Sequence, residues 1–368
     1  MKESEDNLSP RTFEDLQYAL EEGYHKFECG DTESGADIVL WAVKFLIDWG
    51  YIELAVSNIQ DVQSRSPKPE IAAQCSWYNG VIADLQSSRA GSIDYFNKAL
   101  ELYRSTGDYQ AEAVCLARLG RLSNSINDFA KANEFFNNCI ELCKQRGVTG
   151  GWASSLLGMG WNVNESTGEF ERSIALYEQS ILKAGESKDL KTLCAAKRQM
   201  GFLLWTRKNR KEETLKLYDD ARRICEEHRL VKEMGAIHAD LSYLYAENME
   251  FEKAKENCSK CVEIYTGLGN NYGLTNAYAN LGKIYESQND PESAIHWLNK
   301  SHELSVIVNN PGGQAWALYQ LGRIFHKQGK TTDALDALSK AIKLSEEKQL
   351  KETLLFAQKK LAEIKRSK

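Results

Sequence analysis

Two cysteines in a Cys-X-X-Cys pattern, Cys258 and Cys261, are the first residues of this chain whose spacing could do chemistry. That spacing serves either a redox pair or half of a zinc site. A zinc site needs two further ligands, and neither a second Cys-X-X-Cys nor a pair of histidines lies nearby in the sequence. The alternative is that both side chains pack in a core as small apolar groups. We expect core packing, with no metal bound.

The other catalytic signatures are incomplete. The six histidines are scattered, and none forms the His-Glu-X-X-His pattern of a zinc protease helix. Gly30 and Gly35 have the spacing of a phosphate-binding loop, but Ala36 occupies the position that requires lysine. The Gly-X-Ser-X-Gly elbow of a hydrolase is also missing. The sequence therefore predicts a protein that is not an enzyme, with no catalytic residue, cofactor or metal.

A different set of residues carries the chemistry of recognition. Trp, Tyr and Arg are enriched at binding hot spots, and Asn can bond both the N–H and the C=O of an extended peptide. Residues of these types, with one lysine, recur at related positions: Arg121, Asn124, Trp161, Asn164, Arg198, Trp205, Tyr243, Lys283 and Arg323. Whether they share a surface depends on the elements that position them.

A repeat of about 40 residues determines where these recognition residues lie. A marker resembling Leu-Gly recurs, with its last residue at positions 80, 120, 160, 201, 242, 282 and 322. A small residue follows each marker, then a bulky residue, then a second small residue two helical turns after the first. We predict a first helix that contains the marker, a short turn, and a second helix whose small residues allow a neighbouring helix to approach closely.

This pattern resembles the tetratricopeptide repeat family. The segments Leu281-Gly282, Tyr285, Ala294 and Leu298 match it closely, although the usual closing proline is absent and the period is 40 rather than about 34. The longer period is similar to that of the arms in kinesin light chains, polarity adaptors, bacterial peptide receptors and signal-transduction ATPases. The resemblance implies an all-α, right-handed superhelical solenoid of helix pairs.

The resemblance also divides the chain. We expect a lead-in helix in residues 1–34, a degenerate first helix pair in 35–70, seven repeats in 71–347 and a capping helix in 348–368. In such a solenoid the first helices line a concave surface, which commonly binds partners.

The recognition residues lie at positions three before, one after or four after the marker, which share one face of each first helix. Arg121 and Arg198 could each hold a carboxylate with two hydrogen bonds. We therefore expect the groove to bind a protein or peptide segment with acidic residues. The alternative for Trp and Tyr is that they pack between neighbouring first helices.

Composition excludes several classes of partner and location. Lys and Arg number 46 against 52 Asp and Glu, giving a net charge of −6, so nucleic acid is not an expected partner. The longest uncharged stretches contain Gly, Asn and Ser, which are unlike a membrane span. Nine dispersed cysteines indicate reduced thiols and a cytoplasmic protein.

Three functions fit these observations. The leading interpretation is a non-enzymatic scaffold for protein–protein interaction. The second is the ligand-sensing arm of a larger signalling ATPase or a peptide-responsive regulator. The third, an enzyme whose site is assembled in the groove from distant residues, is disfavoured because no catalytic motif is present.

Overall fold

The computed structural model describes residue 10 and residues 12–49, 51–66, 68–86, 88–348 and 350–366, so the first nine residues of the expected lead-in segment lie outside it. In those residues the regular structure consists of α-helices without strands, which confirms the all-α prediction. The helices are α1 (Phe13–Glu28), α2 (Thr32–Asp48), α3 (Ile52–Arg65), α4 (Pro69–Leu85), α5 (Arg89–Thr106), α6 (Tyr109–Ser125), α7 (Phe129–Arg146), α8 (Trp152–Ser166), α9 (Phe170–Ser187), α10 (Leu190–Lys208), α11 (Lys211–Glu227), α12 (Val231–Glu247), α13 (Phe251–Gly267), α14 (Asn271–Ser287), α15 (Pro291–Ile307), α16 (Pro311–Lys327), α17 (Thr331–Glu347) and α18 (Lys351–Arg366).

The helices form two compact units. Unit 1 is Met1–Lys188 and contains α1–α9, whereas unit 2 is Asp189–Lys368 and contains α10–α18. Within each unit, consecutive helices pack against one another. First helices of successive pairs also touch: α6 contacts α8 in unit 1, and α10, α12, α14, α16 and α18 form a continuous series in unit 2. This is the packing of a solenoid built from helix pairs.

The marker glycines allow the two helices of a pair to pack closely. A Cβ atom on Gly120 would lie 2.4 Å from the ring of Phe136, and one on Gly282 would lie 2.6 Å from Leu298. Phe136 and Leu298 belong to the second helices and are buried. The predicted small–bulky–small stripe is therefore confirmed, because its bulky residue fills the space that the marker glycine leaves open.

The ends of the helices follow from their turn residues. Asn127 and Asn289 adopt left-handed backbone conformations with φ of 61°, which Asn tolerates better than most residues. In both turns the second helix begins two residues after the asparagine, and the aspartate between them caps that helix. Asp128 accepts a hydrogen bond from the backbone N–H of Lys131 at 3.1 Å, and Asp290 accepts one from Ser293 at 3.1 Å. Such caps satisfy backbone donors that a helix leaves unpaired at its start.

Helix α1 packs closely on α2 in the same manner. A Cβ atom on Gly35 would lie 2.9 Å from the carbonyl oxygen of Gly23. The core between these helices includes Leu16, Leu20 and Val39, so α1 is an integral part of unit 1. In the described part of the chain, none of the helices is long and apolar enough to cross a lipid bilayer.

Candidate ligand-binding surface

In unit 1, an ionic cluster links the first helices α4 and α6. Asp84 of α4 pairs with Arg89 at the start of α5, and it accepts a hydrogen bond from Arg118 of α6 at 2.6 Å. The Arg118 side chain is 22% exposed and lies 5.6 Å from the centre of the Phe96 ring. Burial lowers the pKa of Arg118, and Asp84 opposes that change. The cluster holds α4 and α6 together.

The structure places the two predicted asparagines differently. Asn124 is 6% exposed, and its amide donates to the carbonyl oxygen of Gly158 on the next first helix at 3.1 Å. This contact gives Asn124 a role in packing α6 against α8. Asn164 is half-buried and donates to the carboxylate of the adjacent Glu165 at 2.9 Å.

Two further predicted residues of unit 1 lie nearer to solvent. Arg121 is exposed on α6, three residues after Arg118 on the same helical face. Trp161 is half-buried on α8, and its ring packs edge-on against Phe129 with centroids 5.9 Å apart. Trp161 thus packs within the array while part of its side chain remains accessible to solvent.

In unit 2, Arg198 has a partner in its own chain. Its guanidinium on α10 donates to the carboxylate of Asp240 on α12 at 2.7 Å, and the two side chains are 23% and 16% exposed. Burial tends to lower the pKa of Arg198, but Asp240 raises it above the ordinary value, so the guanidinium stays charged. The charge of Arg198 is thereby matched internally, and a ligand carboxylate would have to compete with Asp240 for it.

A mixed aromatic and cationic row crosses the first helices of unit 2. The rings of Phe202 on α10 and Tyr243 on α12 lie 6.0 Å apart, and the ammonium of Lys283 on α14 lies 3.9 Å from the centre of the Tyr243 ring. Lys283 also pairs with Glu247. Trp205 packs on the apolar cluster around Cys194 and Tyr218 while remaining partly exposed. We call Phe202, Trp205, Tyr243, Lys283 and Arg323 the unit 2 row.

Arg323, on α16, is the last residue of this row. Its guanidinium lies 3.3 Å from the carboxylate of Glu286 on α14, and it also donates to Gln320. Lys327, one turn further along α16, donates to the same carboxylate at 2.6 Å. The sequence prediction omitted Lys327 because it lies one position beyond the assumed lining set. Its spacing of four residues from Arg323 is the signal that could have revealed it.

The two cysteines of the Cys-X-X-Cys pattern lie in the core. Cys258 and Cys261 are fully buried on α13, as predicted. The Cys258 thiol donates to the carbonyl oxygen of Ala277 at 3.2 Å. Across the described residues, no group of three or more His, Cys, Asp or Glu side chains could hold a metal ion.

Solved structures with the same fold are found at low sequence identity. A Rap protein complexed with competence and sporulation factor has a TM-score of 0.65 at 14% identity, covering 95% of this chain and 99% of that chain. The Rap conjugation regulator of plasmid pLS20, in complex with the Phr* peptide, has a TM-score of 0.62 at 11% identity, covering 92% and 97%.

A third structure belongs to a larger protein. A signal transduction ATPase with a tetratricopeptide repeat sensor, from Pyrococcus horikoshii, has a TM-score of 0.54 at 13% identity, covering 93% of this chain and 54% of that chain. At these identities the likeness concerns the fold alone. No curated protein gives a significant sequence match to the chain.

Models of the repeat itself match unit 2. Residues 233–305 and residues 316–345 each match a model described as a tetratricopeptide repeat. These segments contain α13 and α14, most of α12 and α15, and most of α16 and α17. The two matched segments are thus tetratricopeptide repeats, and the period of the sequence continues the same pattern in the helix pairs that precede them.

Proposed function

We propose that the chain is a non-enzymatic scaffold that binds a protein segment or peptide on the surfaces of its first helices. The unit 2 row carries this proposal. It presents the rings of Phe202 and Tyr243 beside the ammonium of Lys283, all on rigid helices. Aromatic and cationic groups fixed in this way favour binding, because little side-chain entropy remains to be lost.

The fold neighbours support the same function. Two proteins of this fold are known in complexes, one with competence and sporulation factor and the other with the Phr* peptide. We propose that Arg121, Trp161 and Asn164 in unit 1, and the unit 2 row, contribute to ligand binding. Asn124 is left out of this set because it is 6% exposed and donates to Gly158. Arg198 is left out because its partner Asp240 is itself largely buried, with 16% of its side chain exposed.

The proposed setting is the cytoplasm. The nine cysteines are unpaired and eight of them are buried, which suits a compartment where thiols remain reduced.

A selection from a phage-displayed random dodecapeptide library on the immobilised chain tests the proposal. We expect enriched peptides whose binding is weakened by Tyr243→Ala. The matched control is Tyr95→Ala, because Tyr95 is 42% exposed on the second helix α5. Failure to enrich any peptide, or equal loss in both variants, would count against binding at the first helices.

A second candidate function is the ligand-sensing arm of a signalling ATPase. The specific observation is the fold match to the sensor-bearing ATPase, of which this chain spans about half the length (54%). This function requires a nucleotide-binding domain joined to the chain. Sequencing the intact native transcript tests it, since a transcript without a nucleotide-binding domain excludes a sensor arm within the same polypeptide.

A further inference from the structure

Two buried thiols on neighbouring helices are in contact in the core of unit 2. The Cys225 thiol on α11 donates a hydrogen bond to the sulfur of Cys194 on α10, and the two sulfur atoms lie 3.6 Å apart. The Cys194 thiol in turn donates to the carbonyl oxygen of Ala221 on α11 at 3.6 Å. Cys194 is 1% and Cys225 is 2% exposed, and the apolar cluster around them includes Tyr218 and Ile237. The core therefore holds the two sulfur atoms together.

The placement of this pair on two helices suits a disulfide bond. A disulfide is ~2.05 Å long and requires Cβ atoms ~3.5–4.5 Å apart. The sulfur atoms of Cys194 and Cys225 need to approach by about 1.5 Å, which is 3.6 Å less the length of the bond, and side-chain rotation can supply such a movement. The two residues are 31 positions apart in the sequence, so the bond would join α10 to α11 across their turn.

Two other pairs of buried cysteines have a different geometry. Cys139 and Cys143 lie four residues apart on α7, and Cys258 and Cys261 lie three residues apart on α13. Cβ atoms at these spacings on one helix are ~5–6 Å apart, which is further than a disulfide allows. The thiols of Cys139 and Cys258 instead donate to backbone carbonyl oxygens, each at 3.2 Å. Contact across two helices thus distinguishes Cys194 and Cys225 from these pairs.

The hydrogen bond within the pair also favours oxidation of Cys194. The thiolate is the reactive form of cysteine. The hydrogen bond from Cys225 lowers the pKa of Cys194, although burial and Glu233 oppose this change. Burial excludes a bulky charged reagent, whereas hydrogen peroxide is uncharged and little larger than water, so it enters through small openings of the core. Cys194 is therefore the expected nucleophile, and Cys225 is the thiol that resolves the intermediate.

We propose that Cys194 and Cys225 form a reversible disulfide when the chain meets a hydroperoxide such as hydrogen peroxide. The sulfur of Cys194 attacks one peroxide oxygen; an S–O bond forms, the O–O bond breaks, and the departing hydroxide leaves as water with the proton of that thiol. The sulfur of Cys225 then attacks the sulfenic acid; the S–S bond forms, the S–O bond breaks, and a second water leaves with the proton of Cys225. Two thiols are thus oxidised by two electrons, and the peroxide is reduced to two waters. Exchange with a thiol reductant reverses the reaction, as for the transient disulfides of reducing compartments.

The bond would lie beneath part of the unit 2 row. Trp205 on α10 packs on the apolar cluster that contains both cysteines. A covalent link between α10 and α11 limits their separation, so hydrogen exchange in these two helices should slow when the bond forms. The inference does not depend on ligand binding, and failure of the peptide selection leaves it unchanged.

Oxidation of the Cys29→Ser variant by hydrogen peroxide tests the proposal, because the eight remaining thiols are buried. The folded protein is treated, the peroxide is removed, and free thiols are alkylated with N-ethylmaleimide during unfolding in guanidinium chloride. We expect two of the eight thiols to be lost and the mass of the chain, before alkylation, to fall by that of two hydrogen atoms. A peptide map should join the peptides that contain Cys194 and Cys225, and dithiothreitol should restore both thiols.

Three further substitutions in this variant assign the roles of the two sulfur atoms. Cys194→Ala and Cys225→Ala should each abolish the disulfide. In Cys225→Ala, dimedone should trap a sulfenic acid on Cys194, because the resolving thiol is missing. Cys258→Ala is the matched control, since Cys258 is equally buried but donates to a backbone carbonyl, and it should leave the loss of two thiols unchanged. Circular dichroism verifies that each variant is folded.

Three results would overturn the proposal. One is a disulfide between any other pair of cysteines, or loss of thiols without a disulfide. Another is retention of all eight thiols under conditions that oxidise the exposed Cys29 of the native chain, which shows that the peroxide was active. The third is unchanged hydrogen exchange in α10 and α11 after the bond has formed, since the link would then restrain neither helix. The peptide map needs no substitution of the pair, so it decides the proposal where a substitution prevents folding.

Discussion

At the scale of single residues, the thiols differ sharply in exposure. Cys29 is exposed, and the other eight cysteines are buried. A reactive cysteine needs both access and a substantial fraction of thiolate. Burial raises the pKa of Cys75 and that of Cys258 to about 12, so almost no thiolate forms there at neutral pH. Cys258 therefore serves as an apolar core residue in spite of its Cys-X-X-Cys spacing.

We expect one thiol of the native chain, that of Cys29, to react rapidly with Ellman's reagent at neutral pH, and all nine to react after unfolding in guanidinium chloride. The Cys29→Ser variant should lose the rapid phase and keep its helical circular dichroism. Rapid reaction of a second thiol in that variant would mean that part of the core opens to solvent in the native state.

His238 is a buried titratable group on α12. Its Nδ1 lies 2.8 Å from the Oδ1 of Asn257 on α13. Burial lowers the pKa of His238; the hydrogen bond with Asn257 opposes this effect, and Lys260 and Arg222 add to it. An unfolded histidine titrates near pH ~6.5, so the unfolded chain takes up the proton first as the pH falls. The contribution of neutral His238 to stability is therefore present above about pH 6.5 and is lost below it.

We expect His238→Gln to reduce the fall in melting temperature between neutral pH and pH ~5, because the replaced group no longer takes up a proton. The matched control is His25→Gln, since the side chain of His25 is 79% exposed on α1. Differential scanning calorimetry across this pH range measures both variants. A steeper fall in His238→Gln than in the native chain would contradict the assigned direction of the pKa shift.

At the scale of helices, the marker glycines determine how closely the two helices of a pair approach. A Cβ atom on Gly120 would meet Phe136 at 2.4 Å, whereas nothing lies within 4 Å of one on Gly185 in α9. Overpacking of this kind costs ~1–3 kcal/mol, and replacing a helical glycine by alanine gains ~0.5–1 kcal/mol. The same substitution of glycine by alanine should therefore destabilise the chain at Gly120 and stabilise it at Gly185.

We expect Gly120→Ala to lower the free energy of unfolding by up to about 2.5 kcal/mol, the overpacking cost less the helix gain. Gly185→Ala should raise it by about 0.5–1 kcal/mol, because the backbone gain is unopposed. Urea unfolding followed by circular dichroism measures both values. An increase in both variants would show that the Phe136 ring can move aside, and that α6 and α7 are less closely packed than the structure indicates.

The helices and their pairing could be predicted because they depend on a regular period. The marker glycines and bulky residues recur at nearly constant offsets, so one repeat predicts the next. The ionic contacts between first helices follow no constant offset. Arg198 contacts Asp240, 42 residues later, whereas Arg118 contacts Asp84, 34 residues earlier. Such diagonal contacts depend on side-chain reach and helix crossing, which the period of a sequence does not specify.

The surface residues were harder to predict for a related reason. Asn124 and Asn164 occupy equivalent positions in the repeat, and the sequence assigned both to the groove. In the structure, Asn124 donates to the carbonyl oxygen of Gly158, while Asn164 donates to its neighbour Glu165. Two equivalent positions of the repeat thus differ in burial, because the neighbouring helix offers a backbone hydrogen-bond acceptor to only one of them.

At the scale of the whole molecule, the contacts join elements that are close along the chain. The contacts of Arg198 with Asp240 and of Lys327 with Glu286 span 42 and 41 residues, about one repeat each. In repeat proteins stability is approximately a sum of the stabilities of single repeats and of the interfaces between neighbours. A local defect should therefore act mainly on the unit that contains it.

We expect Arg198→Ala to reduce hydrogen-exchange protection chiefly in α10–α18, and Arg118→Ala to do so chiefly in α1–α9. Each substitution removes a cation from a carboxylate that is mostly buried, since Asp240 is 16% and Asp84 is 20% exposed. Loss of such a partner costs about 2–4 kcal/mol, and the cost at Asp84 should be the smaller because Arg89 still binds it. Arg222→Ala, in a pair 44% and 52% exposed, should change little. Mass spectrometry of exchanged peptides locates the losses; an equal fall in protection in both units would mean that the chain unfolds as a single cooperative body.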